Sequence, residues 1–362
     1  MEKRVHYMDV LNVLSCYAVV VLHCTLHVFG SIRDSYWKTA LVLQGIFIFA
    51  VPVFFMLSGS HLLNYRLKYS TATFLKKRLV KVGVGLLVAS AICYILYSAF
   101  PDSFYGAAGV ARNASVRSFL LRFTTNTIND TYWFLYAIIY LYIITPLISL
   151  AAERKRLLEG YLLIGFCIAF ILPMLLHLQI VKDEVAKSLF DWPLLASTGT
   201  FYFVAGYYFS RWPIKSKQVR FFVCLIGIVS LVVMGLMGYK HNVNTKTYDS
   251  FFISEYSAFG AVYSVSVFVF FQSLEVRLSR LSNRILNFLC GAASATFFIY
   301  LFHVLFINWL GLNLHSELLL SLFYTYPLVK ALFVFVVVGG FSLMWNALRS
   351  SSNRLICFLR SL

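Results

Sequence analysis

DVLNVLSCYAVVVLHCTLHV, residues 9–28, is apolar enough to cross a bilayer as one helix, yet it carries polar groups that a simple anchor does without. A helix advances about 100° per residue, so Asn12 and His23, eleven residues apart, lie on nearly one face about three turns from each other. Cys16, Val19 and His27 fall on that side too. An ionisable side chain inside a span is costly and by default faces the protein interior or a watery cavity. The alternative reading of His23 is a histidine bonded to a neighbouring helix. Asp9 precedes His23 by about 21 Å of helix and cannot orient it as a triad aspartate would; a helix-start role suits it better.

Working outward, the same apolar character recurs along the whole chain. Of 362 residues, 60% are hydrophobic and 12% charged, with a mean hydropathy of +0.79. Soluble domains carry about 25% charge, so the expected class is an all-α polytopic membrane protein forming a single domain over 1–362, with no separate soluble domain. The first run lacks a small-residue cleavage site and reads as a retained span, not as a signal peptide. The net charge of +17 lies in short segments between spans. That is the pattern of topology signals and lipid headgroup contacts, so the expected partner is a lipid bilayer and not nucleic acid. The cysteines form no CxxC pair and read as small core residues.

About ten helices are expected, over 9–29, 40–63, 80–100, 132–151, 160–180, 194–211, 219–239, 255–274, 288–311 and 327–348. With these bounds, 21 of the 31 lysines and arginines fall on the side that holds both termini. By the positive-inside rule, both termini are then cytoplasmic. The longest connection, 101–131, is external and reads as a lid, an acceptor-binding loop or an ordinary connector. No internal repeat is visible, which disfavours the inverted-repeat transporters.

Signals cluster in the first three spans. The second ends AVPVFFMLSGSHLLNY, where Pro52 predicts a kink and Ser58–Gly59 predict close helix packing or passage of a narrow ligand chain. The loop that follows, RLKYSTATFLKKRLVK, is the most basic in the chain. Lys76, Lys77, Arg78 and Lys81 read either as a topology signal or as a clamp for a phosphorylated ligand, since both side chains make charge-assisted bonds to phosphate.

YMDVLNVLSCYAVVVLHC, VPVFFMLSG and STATFLKKRLVK, in this order and spacing, resemble the acyltransferase family 3 of integral membrane acyltransferases. Looser agreement continues through TYWFLYAIIYLYIITPL around Trp133 and SATFFIYLFHVLF around His303. The resemblance implies His23 as the catalytic histidine, and Asn12, Ser58, Gly59, Arg78 and Lys81 on the acyl-donor side. Trp133, which also fits an interfacial aromatic belt, and His303 are the acceptor-side candidates. Two positions depart from the family pattern: Ser60, followed by His61, stands where an aromatic residue usually follows Ser-Gly, and Asn12 stands where members carry a first-span arginine, so it can donate a hydrogen bond but brings no charge.

The resemblance further implies acetyl-CoA or another acyl-CoA as co-substrate, with no permanently bound cofactor. The expected reaction is O-acylation, O-acetylation above all, of a hydroxyl on a cell-envelope or extracellular polysaccharide or a lipid-linked sugar. The expected location is a multi-pass position in a bacterial plasma membrane. Such chemistry needs a base for the hydroxyl and donors for the oxyanion, and an imidazole, with pKa about 6.5 in water, suits the first role. No metal site is expected, because His23 and His27, one turn apart, lack a third ligand. The competing reading is an exporter of a polysaccharide or lipid-linked sugar using the same polar cavity; a receptor or scaffold would explain the hydrophobicity alone.

Overall fold

The structure, a computed structural model, describes residues 4–181 and 197–361, the last helix by its backbone alone beyond residue 344. Among the described residues there is no strand. The helices that carry the fold are α1 (His6–Cys24), α2 (Ser35–Phe47), α3 (Ala50–Leu62), α4 (Thr71–Ala99), α5 (Trp133–Ile148), α6 (Lys155–Phe166), α7 (Leu172–His177), α8 (Thr198–Arg211), α9 (Lys217–Asn242), α10 (Ala258–Ser273), α11 (Asn283–Asn313) and α12 (Pro327–Ser361). Eight stretches among the described residues are long and apolar enough to cross a membrane, α2–α3 and α6–α7 each counting as one. The ten expected segments all correspond to helices, but α8 and α10, at 14 and 16 residues, fall short of that length. The expected start of the sixth segment, 194–196, lies outside the described residues, as do Lys182 and Lys187 of the charge tally.

Three boundaries move for physical reasons. First, α1 ends at Cys24, not near residue 29. Thr25 Oγ1 bonds the Val21 and Leu22 carbonyls at 2.9 and 3.1 Å, and Gln44 Nε2 donates to the Leu22 carbonyl and Thr25 Oγ1 at 2.8 Å each. These side chains satisfy the open end of the helix, and the chain tightens into a 3-10 turn over Leu26–Phe29. Second, the second span breaks between Phe47 and Ala50. Pro52 has no N–H for the Ile48 carbonyl four residues back, so the expected kink falls there. Third, α4 begins at Thr71, where Ser70 Oγ accepts from Thr73 N at 3.3 Å. The basic run is therefore helical and not a loop, because hydropathy marks the bilayer crossing and misses the polar turns in front of it. The connection 101–131 is also partly helical, over Ala108–Ala111 and Val116–Thr124.

The helices alternate between two faces. On the near face, the first amides of α1 donate to Glu275, His6 N at 3.2 Å and Tyr7 N at 2.8 Å. This carboxylate satisfies orphan donors at a helix N-terminus. Tyr208, late in α8, donates to Glu159, early in α6, at 2.7 Å, and Arg66 reaches Ser149 beyond α5 at 2.8 Å. On the far face, Arg33 beyond α1 donates to the carbonyl of Asn242 at the end of α9 at 2.9 Å, and Asn313 at the end of α11 donates to Ser103 beyond α4 at 3.1 Å. α1 is the hub, packed among α2, α3, α10, α11 and α12. Leu11, Ala18, Val20 and Val21 are completely buried in it.

Candidate active site

α1 and α11 run parallel, and their seam holds three of the side chains expected to matter, Asn12, His23 and His303. At its lower part, Asn12 Nδ2 donates to the Ala293 carbonyl at 3.4 Å and Thr296 Oγ1 lies 3.3 Å from Asn12 Oδ1. One turn on, Cys16 Sγ reaches the Thr296 carbonyl at 3.5 Å. Further along, in the last turn of α1, His23 meets His303, their ring centroids 5.1 Å apart and their planes at 58°. Two residues separated by most of the chain thus share one spot, about 16 Å along the helix from Asn12.

The two imidazoles differ in their bonding. His303 is fully buried, and its Nδ1 lies 2.8 Å from the Tyr300 carbonyl and 3.0 Å from that of Ile299. Carbonyls only accept, so Nδ1 carries the proton and Nε2 is left as a bare acceptor. That Nε2 is buried with no hydrogen-bond partner. Buried polar atoms are rarely left so, and each such atom asks for an explanation. His23 is half-buried and neither of its ring nitrogens bonds a described residue. A ring nitrogen of His23 that turned its N–H to His303 Nε2 would leave its other nitrogen as a base. Gln44 and Thr25, which hold the helix end beside His23, were not singled out in the sequence; their only signal was a polar pair in apolar surroundings.

His27 does not join this pair. Its Nε2 lies 2.7 Å from the Tyr36 carbonyl, which turns it toward α2. Gly59 is likewise engaged elsewhere. A Cβ on it would overlap the Phe203 carbonyl of α8, and a Cβ on Gly206 would overlap the backbone of Met56 in α3. Ser60, next to it, lies 2.8 Å from the Met56 carbonyl and 2.9 Å from that of Gly206, and Ser210 donates to it at 2.8 Å. Ser58 is half-buried beside this contact. The structure therefore gives Gly59 the packing role and does not bring it to the imidazoles.

The basic run lines the near-face end of α4. Arg78 is half-buried, whereas Lys76, Lys77 and Lys81 are exposed. Neither Arg78 nor Lys81 has a carboxylate partner among the described residues. Two turns beyond Arg78, Gly85 lets α4 close on Phe297 of α11, the neighbour of Thr296. The side chains thus form a rising series, from Arg78 and Lys81, past Asn12 and Thr296, to His23 and His303.

The model of the acyltransferase domain family matches residues 5–348. The chain belongs to acyltransferase family 3. No curated protein and no solved structure matches it significantly. It is a membrane acyltransferase, with its spans set out as above and its polar seam between α1 and α11.

In this acyltransferase Trp133 and Phe134, adjacent at the start of α5, face different ways. Trp133 lines a cavity of ≈ 410 Å³ together with Tyr140, Tyr202, Ser197, Glu255 and Tyr256. Phe134 faces Phe55 at 4.9 Å and Tyr300 at 5.5 Å, and Tyr300 lies 5.9 Å from His303. An aromatic wall thus separates the cavity from the imidazoles, neither of which lines it. The segment before α5 is also laced to α11: Tyr132 OH donates to the Leu301 carbonyl at 2.7 Å, and Tyr300 OH donates to the Thr131 carbonyl. Glu255 was not foreseen as a cavity residue. It sits in the connection before α10, where burial raises its carboxyl above the ordinary carboxylate range.

Proposed function

We propose that this acyltransferase moves an acetyl or similar acyl group from an acyl-CoA thioester to a hydroxyl of an envelope glycan or lipid-linked sugar, with His23 as the general base. The observation that carries the reading is the meeting of His23 with the unpartnered Nε2 of His303. In the proposed orientation the near face is cytosolic, and the coenzyme's phosphates lie on Arg78 and Lys81. The thioester then lies along the α1–α11 seam, with its carbonyl carbon near His23.

The step is a direct displacement. His23 takes the proton of the acceptor hydroxyl while its oxygen attacks the thioester carbonyl carbon. The C–O bond forms, the C–S bond breaks, and the departing thiolate takes the proton back from His23. His303, locked as its Nδ1–H tautomer, acts as a positioning residue: its Nε2 accepts from the N–H of His23 and aims the free nitrogen at the hydroxyl. The aromatic cavity beside Trp133 suits a sugar ring, with tyrosines for stacking and Glu255 for hydroxyls.

Reconstituted protein given radiolabelled acetyl-CoA and an envelope glycan fraction should place label on the glycan. Glycan movement across the bilayer without labelling would replace this reading by the exporter.

A further inference from the structure

We propose that His177, His241 and Asp249 form a site for a zinc-class divalent cation on the far face, clipping the end of α7 to the end of α9. Histidines at 177 and 241 and a carboxylate at 249 converge on one point, and their three donor atoms all lie within 4.8 Å of one another. His177 Nε2 is 2.8 Å from Asp249 Oδ2, and His241 Nδ1 is 4.0 Å from the same oxygen. Zinc holds nitrogen and oxygen ligands at about 2.0–2.2 Å, which sets tetrahedral donors about 3.3 Å apart. The two separations from Asp249 Oδ2 bracket that value, and the three donors, all within 4.8 Å of one another, need to close by no more than about 1.5 Å to complete the triad.

An ion pair at 2.8 Å engages His177 with Asp249, and the second imidazole stands 4.0 Å from the same oxygen, beyond hydrogen-bond distance and close enough to share an ion. The surroundings also fix the donors. The His177 ring stacks on Phe251 at 4.1 Å and 10°, and the His241 ring leans on Phe252 at 4.9 Å. Asp249 is held from behind: its Oδ1 accepts from Phe251 N at 2.9 Å, which leaves Oδ2 to the histidines. Its backbone is clamped by Asn242, whose Oδ1 accepts from Asp249 N at 2.6 Å and whose Nδ2 donates to the Asp249 carbonyl at 2.8 Å. Asn242 is completely buried. Bonded outer partners of this kind orient ligands in metal sites. Arg33, which reaches the end of α9, is committed to the carbonyls of Gly30 and Asn242.

Two imidazoles and one carboxylate select a borderline metal over magnesium or calcium, which take oxygen ligands. Three protein ligands leave the fourth position to water. Neither His23 nor His303 is among the partners of the triad, and its role is mechanical. It fixes the connection 243–257, which also carries Glu255 and Tyr256 into the cavity beside Trp133.

The test uses the full chain, purified in detergent without a polyhistidine tag, stripped with EDTA and titrated with zinc chloride. Bound metal is counted by plasma mass spectrometry and affinity is read by calorimetry. One zinc per chain is expected, with a thermal midpoint raised by about 5 °C at a hundredfold excess over Kd, and with no such rise in magnesium or calcium. His241→Gln and Asp249→Asn should each weaken zinc at least tenfold. The metal-free midpoint of His241→Gln should match the wild type, since its side chain is 44% exposed. Absence of saturable zinc binding at micromolar concentration, or unchanged affinity in either variant, would overturn the site and leave His177–Asp249 as an ordinary ion pair.

Discussion

Two seams in this acyltransferase look alike in the sequence and behave differently in the structure. Both lie between apolar helices and both are built on residues too small or too polar for a plain anchor. In the α3–α8 seam, Gly59 and Gly206 let two backbones touch, and Ser60, Ser210 and Tyr7 form a hydrogen-bonded chain. In the α1–α11 seam, the polar groups are bonded at the Asn12 level, but His303 Nε2 and both nitrogens of His23 are left over. The first seam spends the hydroxyls of Ser60, Ser210 and Tyr7 on structure. The second retains capacity that structure does not need, which is what a reaction centre requires.

The strongest way to break this contrast is at His23. General-base catalysis is worth about 10²–10⁴ in rate. His23→Gln keeps hydrogen bonding and bulk but cannot take a proton, so acylation should fall by about that factor while folding and donor binding persist. His27→Gln should leave the rate near normal, because His27 is committed to Tyr36. Near-normal acylation by His23→Gln, measured as label transferred per minute, would remove His23 as base.

At the other seam the expected loss is of folding. Gly59→Ala drives a methyl group into the Phe203 carbonyl, where backbone and not a flexible side chain must give way. Overpacking costs about 1–3 kcal/mol, and more against rigid backbone, so monodisperse protein in detergent should be much reduced. A well-folded Gly59→Ala variant with impaired donor binding would instead return Gly59 to the donor path.

The donor end comes next. Each charge-assisted bond to phosphate is worth about 1.5–3 kcal/mol. Arg78→Gln combined with Lys81→Gln should therefore weaken acyl-CoA binding more than tenfold, read by calorimetry on folded protein. Unchanged affinity would leave the basic turns of α4 with a topological role only.

The class of the protein and the spans were readable from hydropathy, because crossing a bilayer demands long apolar runs. His23 and His303 were each visible as a histidine in a span. Their meeting was not, since it depends on which helices pack together, and no local pattern encodes the pairing of α1 with α11. The start of α4 escaped for a related reason: Ser70 and the polar turns after it form helix outside the apolar layer. Gln44, Thr25 and Glu275 act on helix ends that only the folded chain brings near them. The histidines 177 and 241 lie in different spans, and spacing along the chain hides their convergence.

The smallest effect tests whether the lower part of the α1–α11 seam belongs with the structural seam or the reactive one. The resemblance sets Asn12 where the family carries an arginine, and here it is bonded to α11 through Ala293 and Thr296. If that contact only holds the helices together, Thr296→Val removes one interhelical hydrogen bond of about 0.6 kcal/mol on average in membrane proteins. The thermal midpoint should then fall by no more than about two degrees, with kcat and the KM for acyl-CoA essentially unchanged. If the amide instead touches the donor in place of the missing arginine, the loss of Thr296 lets Asn12 turn. The KM for acyl-CoA should then rise while the midpoint stays put. A shift in KM without a shift in stability would move Asn12 into the reactive seam, and the boundary between bonded and unbonded groups would lie below it.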